Sequence, residues 1–254
     1  MKEFFNNIWN YIVNKMPGEL MVSLLVMLII AIFAIILGRA ISKADPTKAP
    51  KGLAFVADLI VDKITNLIDD ILGDAYEKFT PYAIFLVLYI PLAFMAGLFG
   101  LASPMTYYTI PLCLALVSWL GINLSAMKYQ KLDYLKGFTS PLPAYIPIFV
   151  PINMLSKLAP LMSLSIRMFG NALAGYILMY LVYWGCGKLS ALIFTSAQYN
   201  FVAWLIAPIL HAYFDIFGAV IQTLIFVLLT MLLISAEIPA PVHKKIKKQK
   251  AKAN

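Results

Sequence analysis

The stretch "FTPYAIFLVLYIPLAFMAGLFGLASPMTYYTIPLCLALVSWLGINLSAM", residues 79–127, contains no Asp, Glu, Lys or Arg. A membrane-spanning helix needs about 20 apolar residues, so this stretch is long enough for two spans. Pro104 lies near its middle, in "LASPMTYYTIP". A proline interrupts a helix because it lacks an amide hydrogen. The stretch therefore predicts two membrane-spanning helices, at residues 81–101 and 109–127.

The overall composition agrees with a membrane protein. Of the 254 residues, 62% are hydrophobic and 13% are charged, whereas a soluble domain has about 25% charged residues. The formal net charge is +8. The basic residues lie between the apolar runs, where they meet the membrane surface, so the charge does not indicate a nucleic-acid partner.

Three further runs complete the predicted fold, a single membrane domain over residues 1–254. Residues 20–38 and 201–236 each predict a span, and residues 141–184 predict a long span that is tilted or bent at its prolines. Residues 53–76 alternate apolar residues at helical spacing with aspartates. This pattern predicts an amphipathic helix at the interface, with a helix packed on a partner complex as the alternative. The fold class is all-α, with about five spans, one interfacial helix and a long tilted helix pair.

The orientation follows from the positions of lysine and arginine. Basic residues concentrate in residues 39–80, in residues 128–136 and in the tail at residues 243–254. Cytoplasmic segments carry the excess of Lys and Arg. Five crossings with the amino terminus outside place all three segments in the cytoplasm.

Two polar stripes carry the candidate chemistry. In "SLSIRMFGNALAG", residues 163–175, Ser163, Arg167 and Asn171 share one helix face. In the last span His211, Asp215 and Gln222 share another, together with a glycine between them. Interhelical hydrogen bonding is the alternative reading of each stripe. A charge inside a span is costly, however, and marks a functional site by default.

The two stripes can be aligned by depth, because the helices that carry them run antiparallel. An alignment across a loop at residues 185–200 predicts that Gln222 lies level with Arg167 and that Asp215 lies level with Tyr176. Asp215 is then two turns from Arg167. Since a buried cation needs a counter-charge, we expect the carboxylate that faces Arg167 to come from another subunit.

The sequence lacks the motifs of several enzyme classes. It has no glycine-rich phosphate loop, no His-Glu-x-x-His and no cysteine–histidine cluster. We therefore predict no enzymatic activity, no cofactor and no metal. A secondary transporter, or an ion channel with an Arg/Asp site at mid-depth, is the alternative, although no internal repeat is visible. An intramembrane enzyme would have only His211 and Asp215 to use.

The segment around Arg167 resembles a known family. An arginine that precedes Phe-Gly-Asn is similar to the signature of subunit a of the F-type ATP synthase, bacterial type. "YLKGFTSPLP" before it and "AVIQTLIFVLLTMLLISAE" after it agree with the same family. The order of the spans and the surface helix agree as well, so the resemblance covers essentially the whole chain.

The resemblance implies a role as the stator beside a rotating ring of c subunits. Arg167 matches the arginine that faces the ring carboxylate, and Asn171 and Gln222 match its polar neighbours. Two offset half-channels connect the ring to the two sides of the membrane. Further implied partners are the peripheral stalk b subunits, the rest of the enzyme and membrane lipids. The implied location is the bacterial plasma membrane.

The chain departs from the family pattern in the outer half-channel. Tyr176 stands where bacterial members usually carry glutamate, and Tyr107 stands where many carry aspartate. Asp215 stands where mitochondrial members carry glutamate, so the acid is expected to have moved to the facing helix. Ser156 and Lys157 occupy the region upstream of the arginine in which acids are common.

Overall fold

The structure is a computed structural model, and it describes residues 16–42, 52–72, 79–131, 134, 149–193 and 200–237. These residues form helices and short connections. The α-helices are α1 Gly18–Ser42, α2 Leu53–Leu72, α3 Thr80–Met95, α4 Thr109–Gln130, α5 Phe149–Ile193, α6 Phe201–His211 and α7 Gly218–Ala236. Two 3₁₀ turns, Ala96–Phe99 and Pro104–Thr106, join α3 to α4, and a π-helix, Ala212–Phe217, joins α6 to α7.

The two predicted spans of the uncharged stretch are confirmed. Helix α3 has a proline in its first turn, and its 3₁₀ extension ends at Gly100, whose φ of 72° is readily adopted by glycine. The amide of Gly100 donates to the carbonyls of Ala96 and Gly97. Pro104 then opens the second 3₁₀ turn, and α4 follows. The chain thus reverses at Pro104, as its position in the uncharged stretch predicted.

Five helices are long and apolar enough to cross a membrane within the described parts of the chain, which confirms the predicted fold class. They are Gly18–Ser42, Thr80–Phe99, Thr109–Gln130, Val150–Leu192 and Phe201–Ala236. The core between them contains Leu86 and Tyr89 from α3 and Met168 and Phe226 from α5 and α7, all fully buried. The hydroxyl of Tyr89 forms a buried hydrogen bond with Ser23 of α1 at 2.7 Å.

Helix α2 corresponds to the predicted amphipathic helix. It buries Ala57, Ile64 and Ile68 and exposes Asp58 and Asp62 on its other side. Its neighbours are α1, α3 and α7. Residues 73–76 of the prediction lie outside the described residues, and the position of α2 at a membrane interface stays a prediction.

The prediction for the arginine-bearing helix was wrong at its carboxyl-terminal end. Residues 185–193 were assigned to a loop, but α5 continues without a break to Ile193. Asn200 explains this extension, because its side-chain amide donates to the carbonyl of Tyr183 at 2.9 Å and its oxygen accepts from Ser190 at 3.2 Å. These bonds tie the last turns of α5 to the start of α6. Residues 141–148 and the tail at 243–254 lie outside the described residues.

The last span was predicted over residues 201–236, and Phe201–Ala236 is long and apolar enough to be one span. Between α6 and α7 the backbone forms a π-helix over Ala212–Phe217. Such segments are rare and occur frequently at functional sites. Asp215 lies inside this π-helix.

Candidate functional site

Arg167 lies on the outward side of α5. Leu164 and Met168, its neighbours on the helix, are buried in the core, whereas Arg167 and Ser163 are exposed. The guanidinium donates to the hydroxyl of Ser163 at 3.4 Å, a long contact. Among the residues that the structure describes, no carboxylate lies within ion-pair distance of Arg167. The backbone of α5, rather than side-chain bonds, therefore sets the position of this cation.

One helical turn further along α5, Asn171 meets the last span. Its amide nitrogen donates to the side-chain oxygen of Gln222 at 3.1 Å. Gln222 is 1% exposed, and its amide nitrogen has no hydrogen-bond partner in the described part of the chain. A buried donor without a partner is costly, so this nitrogen is a polar group that can take up a further interaction beside Arg167.

This bond corrects the predicted alignment of the two helices. Gln222 was expected level with Arg167, but it lies level with Asn171, about 6 Å away along the helix axis. The cause is the turn between α5 and α6, since α5 ends at Ile193 and α6 begins at Phe201. The turn is therefore centred later in the chain than an alignment across residues 185–200 assumed.

A second polar group lies at the junction of α6 and the π-helix. The Nδ1 atom of His211 lies 2.5 Å from a carboxylate oxygen of Asp215, and its Nε2 atom lies 3.0 Å from the hydroxyl of Tyr183 on α5. The side chains of His211 and Asp215 are 26% and 21% exposed. The prediction that the two residues share a face is confirmed. Hydrogen bonds thus connect an acid, an imidazole and a phenol in series.

A cavity of about 900 Å³ brings these groups together. It lies between α5 and the last span and extends to the start of α1 and to the connection between α3 and α4. Its lining includes Glu19, Asn171, Tyr176, Tyr183, His211 and Asp215. Tyr176 and Asp215 therefore line one cavity, although the register set by the bond between Asn171 and Gln222 places Asp215 about two residues from the level of Tyr176.

Several predicted residues, Ser163 among them, do not line this cavity. Arg167 and Gln222 are not among its lining residues, although Asn171, which is bonded to Gln222, is. Tyr107 is exposed and does not line the cavity either, whereas its neighbour Thr106 does. The cavity thus ends one turn short of the arginine.

Sequence reasoning missed Glu19, which lines the cavity from the first turn of α1. The available signal was an acid at the start of a span whose amino terminus was predicted outside. Nothing in the local sequence shows that α1 begins beside the last span. That neighbourhood depends on the packing of α1 against α3 and the 3₁₀ turn at Pro104.

Sequence reasoning also missed a cluster at the opposite end of α5. Lys157 lies 3.1 Å and 3.4 Å from the two carboxylate oxygens of Glu237, the residue that follows α7. Gln130, at the end of α4, donates to the same carboxylate at 2.9 Å. The Lys157 ammonium also lies 4.6 Å from the ring centroid of Tyr134. Burial raises the pKa of Tyr134, and the nearby Glu237 carboxylate raises it further.

These features define a class. The chain is a polytopic membrane protein with an acid-lined cavity between its two longest spans and an exposed arginine one turn beyond it.

Comparisons with known proteins identify the family. The sequence profile of the family described as ATP synthase A chain matches residues 20–235. The chain is 31% identical to ATP synthase subunit a of Mycoplasmoides gallisepticum over 216 residues, covering 79% of this chain and 71% of the relative. It is 29% identical to ATP synthase subunit a of Desulfotalea psychrophila over 176 residues, covering 68% and 67%. The chain belongs to the family of ATP synthase subunit a, the membrane stator subunit of the F-type ATP synthase.

Proposed function

We propose that Arg167 faces the ionisable carboxylate of each c subunit as the ring rotates past this chain. The observation that carries the proposal is the exposed arginine, whose contact at 3.4 Å is to the neutral hydroxyl of Ser163. A guanidinium keeps its proton at any biological pH. Inside a membrane it is stabilised by a carboxylate, and a ring subunit can supply one from outside the chain.

The arginine has two consequences for ion flow. Its positive charge stabilises the ionised form of the ring carboxylate, so a proton leaves the ring at this point. The same charge repels protons and blocks direct flow between the two half-channels. Protons therefore have to travel on the ring, and this requirement couples their flow to rotation and to ATP synthesis.

The cavity supports an outer half-channel. Glu19 lies at its end near the start of α1, Asp215 and His211 lie along it, and Asn171 lies at its inner end. A carboxylate and an imidazole can each bind and release a proton, as a relay requires. The hydrogen bond between Asn171 and Gln222 then separates the end of this path from Arg167.

The proposal also includes the orientation of the chain in the membrane and the subunits around it. The amino terminus lies outside, the carboxyl terminus is cytoplasmic, and the membrane is the bacterial plasma membrane, in agreement with the distribution of lysine and arginine. The peripheral stalk b subunits and membrane lipids cover other faces. In the apolar stretch of α5 that is long enough to span a membrane, 22% of the residues are buried within the chain. The remaining surface of α5 is available to the ring and to lipids. The chain conducts ions and performs no catalysis itself.

The test replaces Arg167 by alanine and measures ATP synthesis in membrane vesicles under an imposed proton gradient. Synthesis should be abolished, with the amount of assembled complex unchanged. Arg167→Lys should also fail, because an ammonium is more strongly hydrated and lacks the planar fork. Arg39→Ala, which removes the arginine in the last turn of α1, is the matched control and should synthesise ATP normally. Near-normal synthesis by Arg167→Ala would refute the proposal.

A further inference from the structure

The two long antiparallel helical segments, α5 and α6–α7, are joined by polar contacts along their whole length. The contacts are Lys157–Glu237, Asn171–Gln222, Tyr183–His211 and Ser190 with the amide of Val202. In every pair the two residue numbers add to between 392 and 394. Antiparallel helices with equal rise keep this sum constant. The contacts therefore belong to one common register.

The two ends of this register are held differently from its middle. Near the turn between α5 and α6, the side chain of Asn200 accepts a hydrogen bond from Ser190 and donates one to the carbonyl of Tyr183. Near Arg167 the helices share one side-chain hydrogen bond, from Asn171 to Gln222. Leu164, Met168 and Ala172 of α5 are also buried in the common core at this level. The polar bond therefore adds to apolar packing near Arg167.

The cytoplasmic end is held by the cluster around Glu237. This carboxylate accepts hydrogen bonds from both Lys157 and Gln130, and the backbone carbonyl of Glu237 also accepts from Gln130 at 2.8 Å. On the other side of α5, the indole nitrogen of Trp119 donates to the carbonyl of Lys157 at 2.6 Å. Both partners of the ion pair are about one-quarter exposed. Three segments, the ends of α4 and α7 and the first part of α5, thus meet at one ion pair.

We propose that the Lys157–Glu237 ion pair is a positioning contact that fixes the register of α5 against α7 and so holds Arg167 one turn from Gln222. The inference rests on the proposed role of Arg167. Lys157 lies ten residues before Arg167, about 15 Å along the same helix, and it does not line the cavity. The guanidinium has one long side-chain contact. A slip of α5 would therefore move the arginine directly.

The ion pair suits this role because the rotating ring exerts a load on Arg167. Each ring carboxylate attracts the arginine as it approaches and pulls on it as it leaves. The load is transmitted to the backbone of α5, where the buried side chains of Leu164 and Met168 and the ion pair at Lys157 resist it. The ammonium of Lys157 also lies over the Tyr134 ring, and the hydroxyl of Tyr134 donates to Asn123 of α4 at 2.7 Å. The cluster therefore anchors α5 to α4 as well as to α7.

The test uses the whole ATP synthase in membrane vesicles, with every rate expressed per assembled complex. The variants are Lys157→Met, Glu237→Gln, the neutral double variant with both changes, and the charge swap K157E/E237K. We expect the single variants and the neutral double to lose ATP synthesis several-fold and to raise passive proton leak, because a displaced arginine no longer separates the half-channels. The charge swap should recover a substantial part of both losses.

The readouts separate positioning from simple loss of folding. A variant that only assembles poorly lowers synthesis and leak together, and its rates per assembled complex stay normal. Lys188→Met is the matched control. Lys188 lies on the same helix, and its ammonium lies 5.9 Å from the centroid of the Trp184 ring. It should behave as the unmodified complex does.

Two results would overturn the inference. One is a neutral double variant with unchanged synthesis and leak per complex, and the other is a charge swap that performs no better than the neutral double. Arg167→Ala, measured in parallel, separates this inference from the proposed function. If Arg167→Ala abolishes synthesis while the Lys157 and Glu237 variants are normal, only the positioning role fails. If Arg167→Ala synthesises normally, the proposed function fails.

Discussion

The cavity between α5 and the last span and the cluster around Glu237 each contain an acid and a base from the same helix pair, yet they differ in what they can do. His211 and Asp215 are neighbours on one segment of the chain and line a cavity of about 900 Å³. Lys157 and Glu237 come from different segments, and neither lines that cavity. The His211–Asp215 pair faces space that a proton carrier can occupy, whereas the Lys157–Glu237 pair bridges two helices.

The chemistry of the side chains strengthens the contrast. The usual pKa of imidazole lies near neutral pH, and the usual pKa values of lysine and glutamate lie several units away on either side. A group exchanges protons efficiently when its pKa is near the working pH. The Lys157–Glu237 pair instead forms a contact between two helical segments, at 3.1 Å. An acid beside a base is therefore not sufficient for a proton relay. The type of base, and whether the pair lines the cavity, decide whether it can carry protons.

The strongest test of this comparison removes the acid of the His211–Asp215 pair. Asp215→Asn preserves size and much of the hydrogen bonding, but an amide cannot carry a proton. We expect proton flow through the complex to fall on the order of a hundredfold, with assembly unchanged. The measurement is ATP-driven proton pumping in vesicles. Asp215→Glu, which retains the carboxylate, is the control and should conduct.

A second substitution in the same background locates the carboxylate within the cavity. Tyr176 lines the cavity from α5, facing the segment that holds Asp215. Adding Tyr176→Glu to Asp215→Asn should restore part of the proton flow, because it returns a carboxylate to the same space. Normal pumping by Asp215→Asn alone would show that the acid only orients His211, and it would leave His211 and water as carriers.

Replacing the base should have a smaller effect. His211→Gln keeps a polar side chain but removes the titrating imidazole, while Asp215 and the cavity remain. We expect proton flow to fall about tenfold, with a changed dependence on pH. Tyr183→Phe, which removes the hydroxyl 3.0 Å from Nε2 of His211, should alter the pH dependence less. If His211→Gln leaves both the rate and its pH dependence unchanged, the imidazole is outside the path.

Much of the fold could be predicted from the sequence because apolar runs and charged segments alternate so clearly. The five spans and the reversal at Pro104 follow from length and charge alone. The carboxyl-terminal end of α5 could not be predicted, because its helical continuation depends on Asn200, which bonds to Tyr183 and Ser190 from the next segment. Gly185 and Gly187 otherwise favour a loop there.

The candidate site was predictable in its residue types and less so in its geometry. Arg167 stood out because a charge in an apolar run is costly. The π-helix around Asp215 has no local sequence signature in Ala212–Phe217, so its presence could not be read from spacing. Glu19 and Glu237 each lie at the end of a span, and only the packing of the spans shows that one lines the cavity and the other pairs with Lys157.

The smallest expected effect concerns Glu19. It tests whether the cavity, unlike the cluster around Glu237, takes up protons from water. Glu19 lines the cavity from the first turn of α1, and its side chain is partly exposed. A carboxylate at the mouth of a cavity attracts cations and raises the local supply of protons. Glu19→Gln should therefore lower proton uptake from the outer side roughly two- to threefold at low salt. The difference should shrink as salt is raised, because an exposed charge is screened.

The matched control is Asp62→Asn, which removes an exposed acid of α2 that does not line the cavity. Proton uptake by this variant should be unchanged at every salt concentration. If Glu19→Gln and Asp62→Asn give the same uptake at low salt, the mouth of the half-channel does not depend on this acid, and the outer path begins at Asp215 and His211.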